Sequence, residues 1–351
     1  MMKTKLIYFK NFFDTMLEIQ GDYLEGGGQI IRTALALSSI TQKPFTITNI
    51  RKGRKEPGLK EQHLQTVRAA AKLCNAKVEG DKLHSMQLSF TPRKITSMNL
   101  EINISTAGST ALVLQTLLIA GTRHNLDIHI KGGGTWNLNA SSIPYFQKIL
   151  IPILQKMNYN VKIETINHGF YPKGGAEVSV KTRKTNLESL QLTDRGELNS
   201  ISCYSFASND LKNRKVAERQ SEIARKLLDE YEINTCNKYV QSYCPGSGIL
   251  LVADFENTVL GFDVVGERNK TSEMVGEEAA LGFKTQLDSE ATVDEFMADQ
   301  ILPYLALAKG NSQIKIPHLT RHAETNIWLI KQFLNADFRV KDDIIYVSSK
   351  N

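Results

Sequence analysis

The sequence predicts an α+β protein. One strand–helix–strand–helix–strand–strand unit occurs three times to form a large domain, and a smaller α/β domain is inserted into the third copy. Three observations lead there: segments of one pattern recur, their spacing is uneven, and the composition is that of an ordinary globular chain. The 351 residues are 41% hydrophobic and 23% charged, with 23 Gly and 9 Pro, which excludes disordered and collagen-like chains. Cys74, Cys203, Cys236 and Cys244 are scattered without CxxC spacing. They indicate neither a zinc site nor a disulfide framework, and they point to a reducing, cytoplasmic compartment.

The first copy opens with the strand MLEIQ at 16–20 and continues through a helix at 26–40, the strand FTITNI at 45–50, a helix at 62–73 and the strand AKVEG. The second follows with LEINIST, a helix at 107–120, LDIHIK at 126–131, a helix at 144–157 and VKIE. In that second helix Phe146, Ile149, Leu150, Ile153 and Leu154 keep the three-and-four spacing of a buried helical stripe. The third has AEVSVKTR at 176–183 as its first strand, a helix at 298–308, QIKIP at 313–317, a helix at 326–334 and FRVK. Copies one and two lie about 81 residues apart and copies two and three about 187, a surplus of about 106 residues that matches a small domain.

The surplus falls at 184–290, where strands at 200–207, 238–243, 248–254 and 259–265 accompany helices at 215–231 and 272–284. The expected organisation is a large domain of 16–183 plus 291–351, with 184–290 inserted either as a structural element or as a substrate platform. Residues 1–15 are expected to be a leader, with disorder an open option. Lys3, Lys5, Lys10 and Asp14 interrupt the apolar run that a signal peptide needs, and no later run would cross a bilayer.

The strand-to-helix loops hold the residues suited to chemistry. Glu25-Gly26-Gly27-Gly28-Gln29 precedes a helix, where backbone N–H groups and helix polarity favour an anion. Taken alone, three glycines are more often a tight turn than a phosphate cradle. Arg32 lies in the same helix. The loop at 51–60 carries Arg51, Lys52, Arg54, Lys55 and Lys60, either as a solvated basic turn or as a phosphate site, for which arginine forks are well matched. The net charge of +6 suits an anionic partner without proving one.

Gln115 is an amide within an apolar helix, where it must find partners; a ligand base edge would serve as well as a backbone group. Asp299 is placed at a helix start, and His322 in the loop before the final helix. A lone loop histidine is usually just exposed. A neutral imidazole is nevertheless a good nucleophile toward phosphorus, and a nearby helix N-terminus would keep it neutral.

LEGGGQIIRTALALS, IRKGRKEPGLKEQH, STAGSTALVLQTLL, HGFYPKGGAEV, MADQILPYLALA and HAETNIWLI resemble, in order, the motifs of RNA 3′-terminal phosphate cyclases. The match spans nearly the whole chain after Met16, more weakly in the inserted segment. The resemblance implies three units, each a four-stranded sheet with two helices, plus a smaller inserted domain. It also implies ATP-dependent conversion of an RNA 3′-phosphate to a 2′,3′-cyclic phosphodiester through a histidine–AMP intermediate. Carried over by motif, His322 is the nucleophile. Glu25 serves the ATP phosphates and a divalent metal, Mg²⁺ or Mn²⁺. Arg32, Arg51, Arg54 and Gln62 serve the RNA phosphate, while Gln115, Pro144, Tyr145 and Asp299 serve the nucleotide.

The implied partners are ATP and RNA with a 3′-phosphate end, without a membrane; oligomeric state is left open, a homodimer included. Phe296 stands where a Tyr is common in the family, and the Asp299–His322 interval is about one residue longer. Two other readings remain. One is a cyclase-like RNA-binding protein of ribosome assembly, which shares the fold but lacks the histidine. The other is an enolpyruvyl transferase built from similar units, whose motifs are absent.

Overall fold

The computed structural model describes residues 16–350, so the leader expected at 1–15 lies outside the described residues. The described chain forms four mixed sheets of four strands each. In the first, β1 (Leu17–Gln20), β2 (Phe45–Thr48), β3 (Lys77–Glu79) and β4 (Leu88–Thr91) take the order β1-β2-β4-β3. The β1–β2 pair is parallel and the other two pairs are antiparallel. A parallel pair needs a crossover, and α1 (Gly28–Thr41) supplies it; α2 (Glu61–Cys74) then links β2 to β3.

In the second sheet β5 (Asn99–Ser109), β6 (Asp127–Gly134), β7 (Val161–Asn167) and β8 (Glu177–Thr182) take the order β5-β6-β8-β7, again with one parallel pair. Its crossover, α3 (Thr110–Gly121), is buried on nearly every face, as expected of a helix apolar all round. The next helical stretch runs as α4 (Ile143–Tyr145), a π-turn over Phe146–Leu150, and α5 (Ile151–Lys156).

The fold corrects two assignments made from sequence. The strand AEVSVKTR, expected to open a third unit, is β8 and lies between β6 and β7. The strand beside the segment QIKIP is instead β9 (Gln191–Leu192), within the stretch assigned to the insert. Two residues are too few for a periodic signal, so β8 took its place in the pattern.

After β9 come β10 (Leu198–Ser208), α6 (Val216–Leu227), β11 (Ile233–Val240), β12 (Ser247–Phe255), β13 (Val259–Val265) and α7 (Ser272–Asp288). Their sheet has the order β11-β10-β12-β13. The chain then runs through α8 (Glu295–Gln300), α9 (Leu302–Leu307), β14 (Gly310–Lys315), α10 (Arg321–Phe333), β15 (Ala336–Lys341) and β16 (Ile344–Ser349). This sheet has the order β15-β16-β14-β9. The helix expected at 298–308 is two short helices. Asp294 caps the first, accepting from the N–H groups of Phe296 and Met297 at 3.1 and 2.9 Å, and Pro303 starts the second.

Buried side chains of the first, second and β9–β14–β15–β16 sheets share one continuous core, whereas Ile201, Cys203, Leu251 and Phe283 belong to a second core of the β10–β13 segment. Within the large core α1 packs against α2, α3 and α10. That packing brings the N-termini of α1 and α10, some 290 residues apart in sequence, to one place.

Candidate active site

The site forms where those two helix starts meet. Thr320 caps α10, its hydroxyl accepting from Ala323 N–H at 3.0 Å. His322 is therefore the second residue of the helix rather than part of the preceding loop, as the sequence reading had it. Gln29, the second residue of α1, bridges to it. The Gln29 Nε2 donates to Asp299 Oδ2 at 2.7 Å, which leaves Oε1 to meet His322 Nδ1 at 2.8 Å.

With the amide orientation assigned by its bond to the Asp299 carboxylate, Nδ1 carries the imidazole proton and Nε2 carries the lone pair. Asp299 sits in the last turn of α8, not at a helix start. Its position is fixed from behind: Asn326 Nδ2 donates to its carbonyl at 2.8 Å, and Thr33 holds Asn326 Oδ1 at 2.9 Å.

Charge and burial favour a neutral ring. Burial lowers the His322 pKa, and the Arg32 and Arg54 guanidinium groups lower it further; the α10 N-terminus acts in the same direction. Asp299 is pushed up to about 7 by burial, against the pull of Arg32 and of the Gln29 hydrogen bond. Arg32 is itself lowered to about 10 by burial, which Asp299 opposes. Both shifts say that desolvation outweighs the attraction between the two charges, as is common for partly enclosed ions without ideal pairing.

Glu25 faces this ring, with Oε1 3.7 Å from His322 Nε2 and paired with Arg54. Its backbone N–H is held by Thr325 Oγ1 at 3.3 Å, and Arg54 Nη2 also donates to its carbonyl at 2.9 Å. The other carboxylate oxygen, Oε2, is buried without a hydrogen-bond partner. Leaving such an oxygen empty is costly.

The remaining predicted residues, Pro144 and Tyr145 apart, separate into three groups. Arg32 Nε donates to Gln115 Oε1 at 3.0 Å, so these two stand together beside His322. Arg51 is buried and spends Nη1 on the carbonyls of Glu56 and Gly58, at 2.7 and 2.8 Å, which holds the basic loop in shape. Gln62 lies on the first turn of α2, outside the main cleft.

A cleft of about 510 Å³ opens beside His322, within the range of nucleotide-sized sites. Arg32, Gln115 and Asp299 line one part, and Phe262, Asp263 and Phe296 another. Pro144 and Tyr145 do not line it. Tyr145 is fully buried behind the wall, its hydroxyl donating to Asp294 Oδ1 at 2.5 Å. Asp294 in turn holds Gly261 N–H of β13 at 3.0 Å. Tyr145→Phe is thus expected to lower unfolding free energy by about 1–3 kcal/mol in urea titrations while leaving nucleotide affinity unchanged. A selective loss of nucleotide affinity would return Tyr145 to the cleft.

Sequence reasoning missed Gln29 and His63. The His63 Nδ1 accepts from Lys60 N–H at 3.0 Å, and the ring packs so close to Gly28 that any side chain there would strike Nε2. Burial, then Arg32, Arg51 and Lys60, push its pKa down to about 3, so it stays neutral and presents Nε2–H. A polar residue at the buried start of an otherwise apolar helix was the available signal for Gln29.

A neutral imidazole that keeps one lone pair, two guanidinium groups near enough to lower its pKa, and an unpaired carboxylate oxygen make up a candidate site suited to phosphate chemistry. Comparison with known proteins gives the family. A family model described as RNA 3′-terminal phosphate cyclase matches residues 23–340. The RNA 3′-terminal phosphate cyclase of Sulfurisphaera tokodaii is 40% identical over 93% of this chain and 97% of its own length. Those of Methanococcoides burtonii and Caldivirga maquilingensis are 38% and 41% identical, over 95% and 92% of this chain and 99% and 94% of theirs. The chain belongs to the RNA 3′-terminal phosphate cyclase family.

Proposed function

We propose that this protein converts an RNA 3′-terminal phosphate into a 2′,3′-cyclic phosphodiester at the expense of ATP, through AMP carried on His322. The observation that carries the reading is the Asp299–Gln29–His322 relay, which leaves the lone pair on Nε2 of a histidine that lines the cleft. In the first step Nε2 attacks the α-phosphorus of ATP, a P–N bond forms, and the bond to pyrophosphate breaks. An oxygen of the RNA 3′-phosphate then attacks the same phosphorus, and the P–N bond breaks to restore the imidazole. Finally the neighbouring 2′-hydroxyl attacks the 3′-phosphorus, loses its proton, and AMP leaves. Proximity of that hydroxyl can supply about 7–11 kcal/mol of barrier reduction.

Arg32 and Arg54 are assigned to charge neutralisation during these transfers, and Arg51 to holding the loop that presents Arg54. Glu25 fits a divalent cation through its unpartnered Oε2. No group of three His, Cys, Asp or Glu suited to a metal occurs among the described residues. Such an ion would therefore be completed by phosphate oxygens and water, as Mg²⁺ commonly is, and would neutralise charge on the nucleotide. The proposed architecture is three units of one topology with the segment around β10–β13 and α7 inserted. No helix among the described residues is long and apolar enough to cross a membrane, which is compatible with a cytoplasmic enzyme.

Incubation with α-labelled ATP and Mg²⁺ tests the reading. Label is expected on the protein alone, and on adding 3′-phosphorylated RNA it should discharge as AMP while a cyclic end appears. No label in either reaction would remove the reading.

The pH dependence follows from the lowered His322 pKa. Attack needs the neutral ring, and protonation removes the lone pair, so the acid limb of self-labelling is expected below pH 6.5, the ordinary value. Arg54→Ala takes away a positive neighbour and is expected to move that limb upward. A wild-type limb above 6.5, or a downward shift in the variant, would contradict the electrostatic account.

A further inference from the structure

We infer that a strip of surface from Gln62 to Tyr243 is the track for the RNA strand upstream of its 3′ end, with Tyr243 and Tyr171 as stacking platforms for its bases. The inference rests on the reading of the chain as an RNA-end enzyme. The strip begins at the proposed phosphate site, since Gln62 adjoins His63, whose ring packs on Gly28. A Cβ placed on Gly108 would lie 3.7 Å from Gln62 Cβ. A Cβ on Gly174 would lie 3.2 Å from Ala107 Cα and 3.1 Å from Thr106 O. Gly175 follows with φ +88°, and a side chain there would run into the Tyr243 ring. These contacts link Gln62 to Tyr243 through neighbouring residues, with Gly174 buried beneath the strip.

Its middle is backbone rather than side chain. The β5–β6 ladder loses register between Ile104 and Ser109, and Ser105 and Thr106 stand exposed there. Glycine and small residues let a sugar–phosphate chain lie close. At the far end Tyr171 and Tyr243 are 79% and 68% exposed, the largest exposures among the described large hydrophobic residues.

Tyr171 belongs to the β7–β8 loop and Tyr243 to the β11–β12 loop, so the inserted segment supplies part of the platform. Neither 168–175 nor 238–246 contains an acidic residue, while exposed Lys173 and Lys238 provide cations. Exposed aromatic rings beside cations on an open ledge are what single-stranded nucleic acid requires: bases stack on rings of any sequence context, and phosphates pair with lysine.

The test compares a ten-nucleotide RNA 3′-phosphate with a dinucleotide 3′-phosphate, using wild type, Tyr243→Ala, Tyr171→Ala and Tyr243→Phe. Tyr243→Ala is expected to raise KM for the longer RNA roughly tenfold, the loss of about one stacked base. Its kcat, its self-labelling by ATP and its KM for the dinucleotide should stay at wild-type values, and Tyr243→Phe should restore the longer substrate. Tyr171→Ala is expected to act in the same direction. Unchanged KM for the longer RNA, or equal losses on both lengths, would overturn the track.

A wild-type protein that takes AMP but never cyclises RNA would instead remove the RNA reading. Fluorescence anisotropy with the longer RNA then judges the surface by itself. Equal affinities of wild type and Tyr243→Ala would overturn it there too.

Discussion

His322→Ala is expected to leave no detectable AMP attachment while the protein stays folded. The ring is half-exposed, and the hydrogen bond the structure gives it is to Gln29, so truncation opens no core cavity and leaves the Thr320 cap of α10 in place. What vanishes is the proposed nucleophile, for which no neighbour substitutes. Asp299 is engaged by the Gln29 amide, and Glu25, paired with Arg54, is a carboxylate that would repel the phosphates it would have to attack. Cyclisation of 3′-phosphorylated RNA should fall with it. Far-UV circular dichroism and a urea midpoint near wild type separate lost chemistry from lost folding. Residual labelling at the wild-type rate would remove His322 from the role.

Gln29→Leu is expected to slow self-labelling about 100-fold, because the imidazole keeps its place but loses the bond that fixes its proton on Nδ1. The leucine would also strand Asp299 Oδ2 without its donor, in a setting where burial already holds that carboxyl near 7. Gln29→Glu supplies the contrast. The new carboxylate can still accept from Nδ1–H, and Asp299, protonated at neutral pH more readily than an ordinary carboxyl, can donate to it. A loss smaller than for leucine, deepening as pH rises and Asp299 ionises, is therefore expected. Rates close to wild type for both variants would mean that Gln29 does not govern the ring.

How much of this was legible in the sequence depended on whether the determinant was local. Glu25, Arg32, Arg54, Gln115 and His322 are candidates from sequence because loop and helix motifs mark them one at a time. Gln29 was not, since its role exists only when residues 270 and 293 positions away fold against it. The helical setting of His322 was readable, because Thr320 is a good N-cap, but the apolar stripe begins later and drew the boundary with it.

Tyr145 stood in a motif beside a proline and so suggested a ring for stacking. Burial and the bond to Asp294 make it a brace between α4 and the strand that carries Phe262 and Asp263. In the fold, the recurring strand and helix pattern located the elements, while the two-residue β9 fell below any periodic signal and left β8 in the wrong sheet. Tertiary pairing decided both.

The most direct test of the central claim is to map the covalent adduct. The protein is incubated with ATP and Mg²⁺, digested under alkaline conditions and analysed by tandem mass spectrometry. The account expects AMP on the peptide containing His322, as an acid-labile phosphoramidate on the imidazole that RNA 3′-phosphate discharges. AMP fixed to a lysine or a carboxylate, or an unmodified His322 peptide in protein that cyclises RNA, would contradict it.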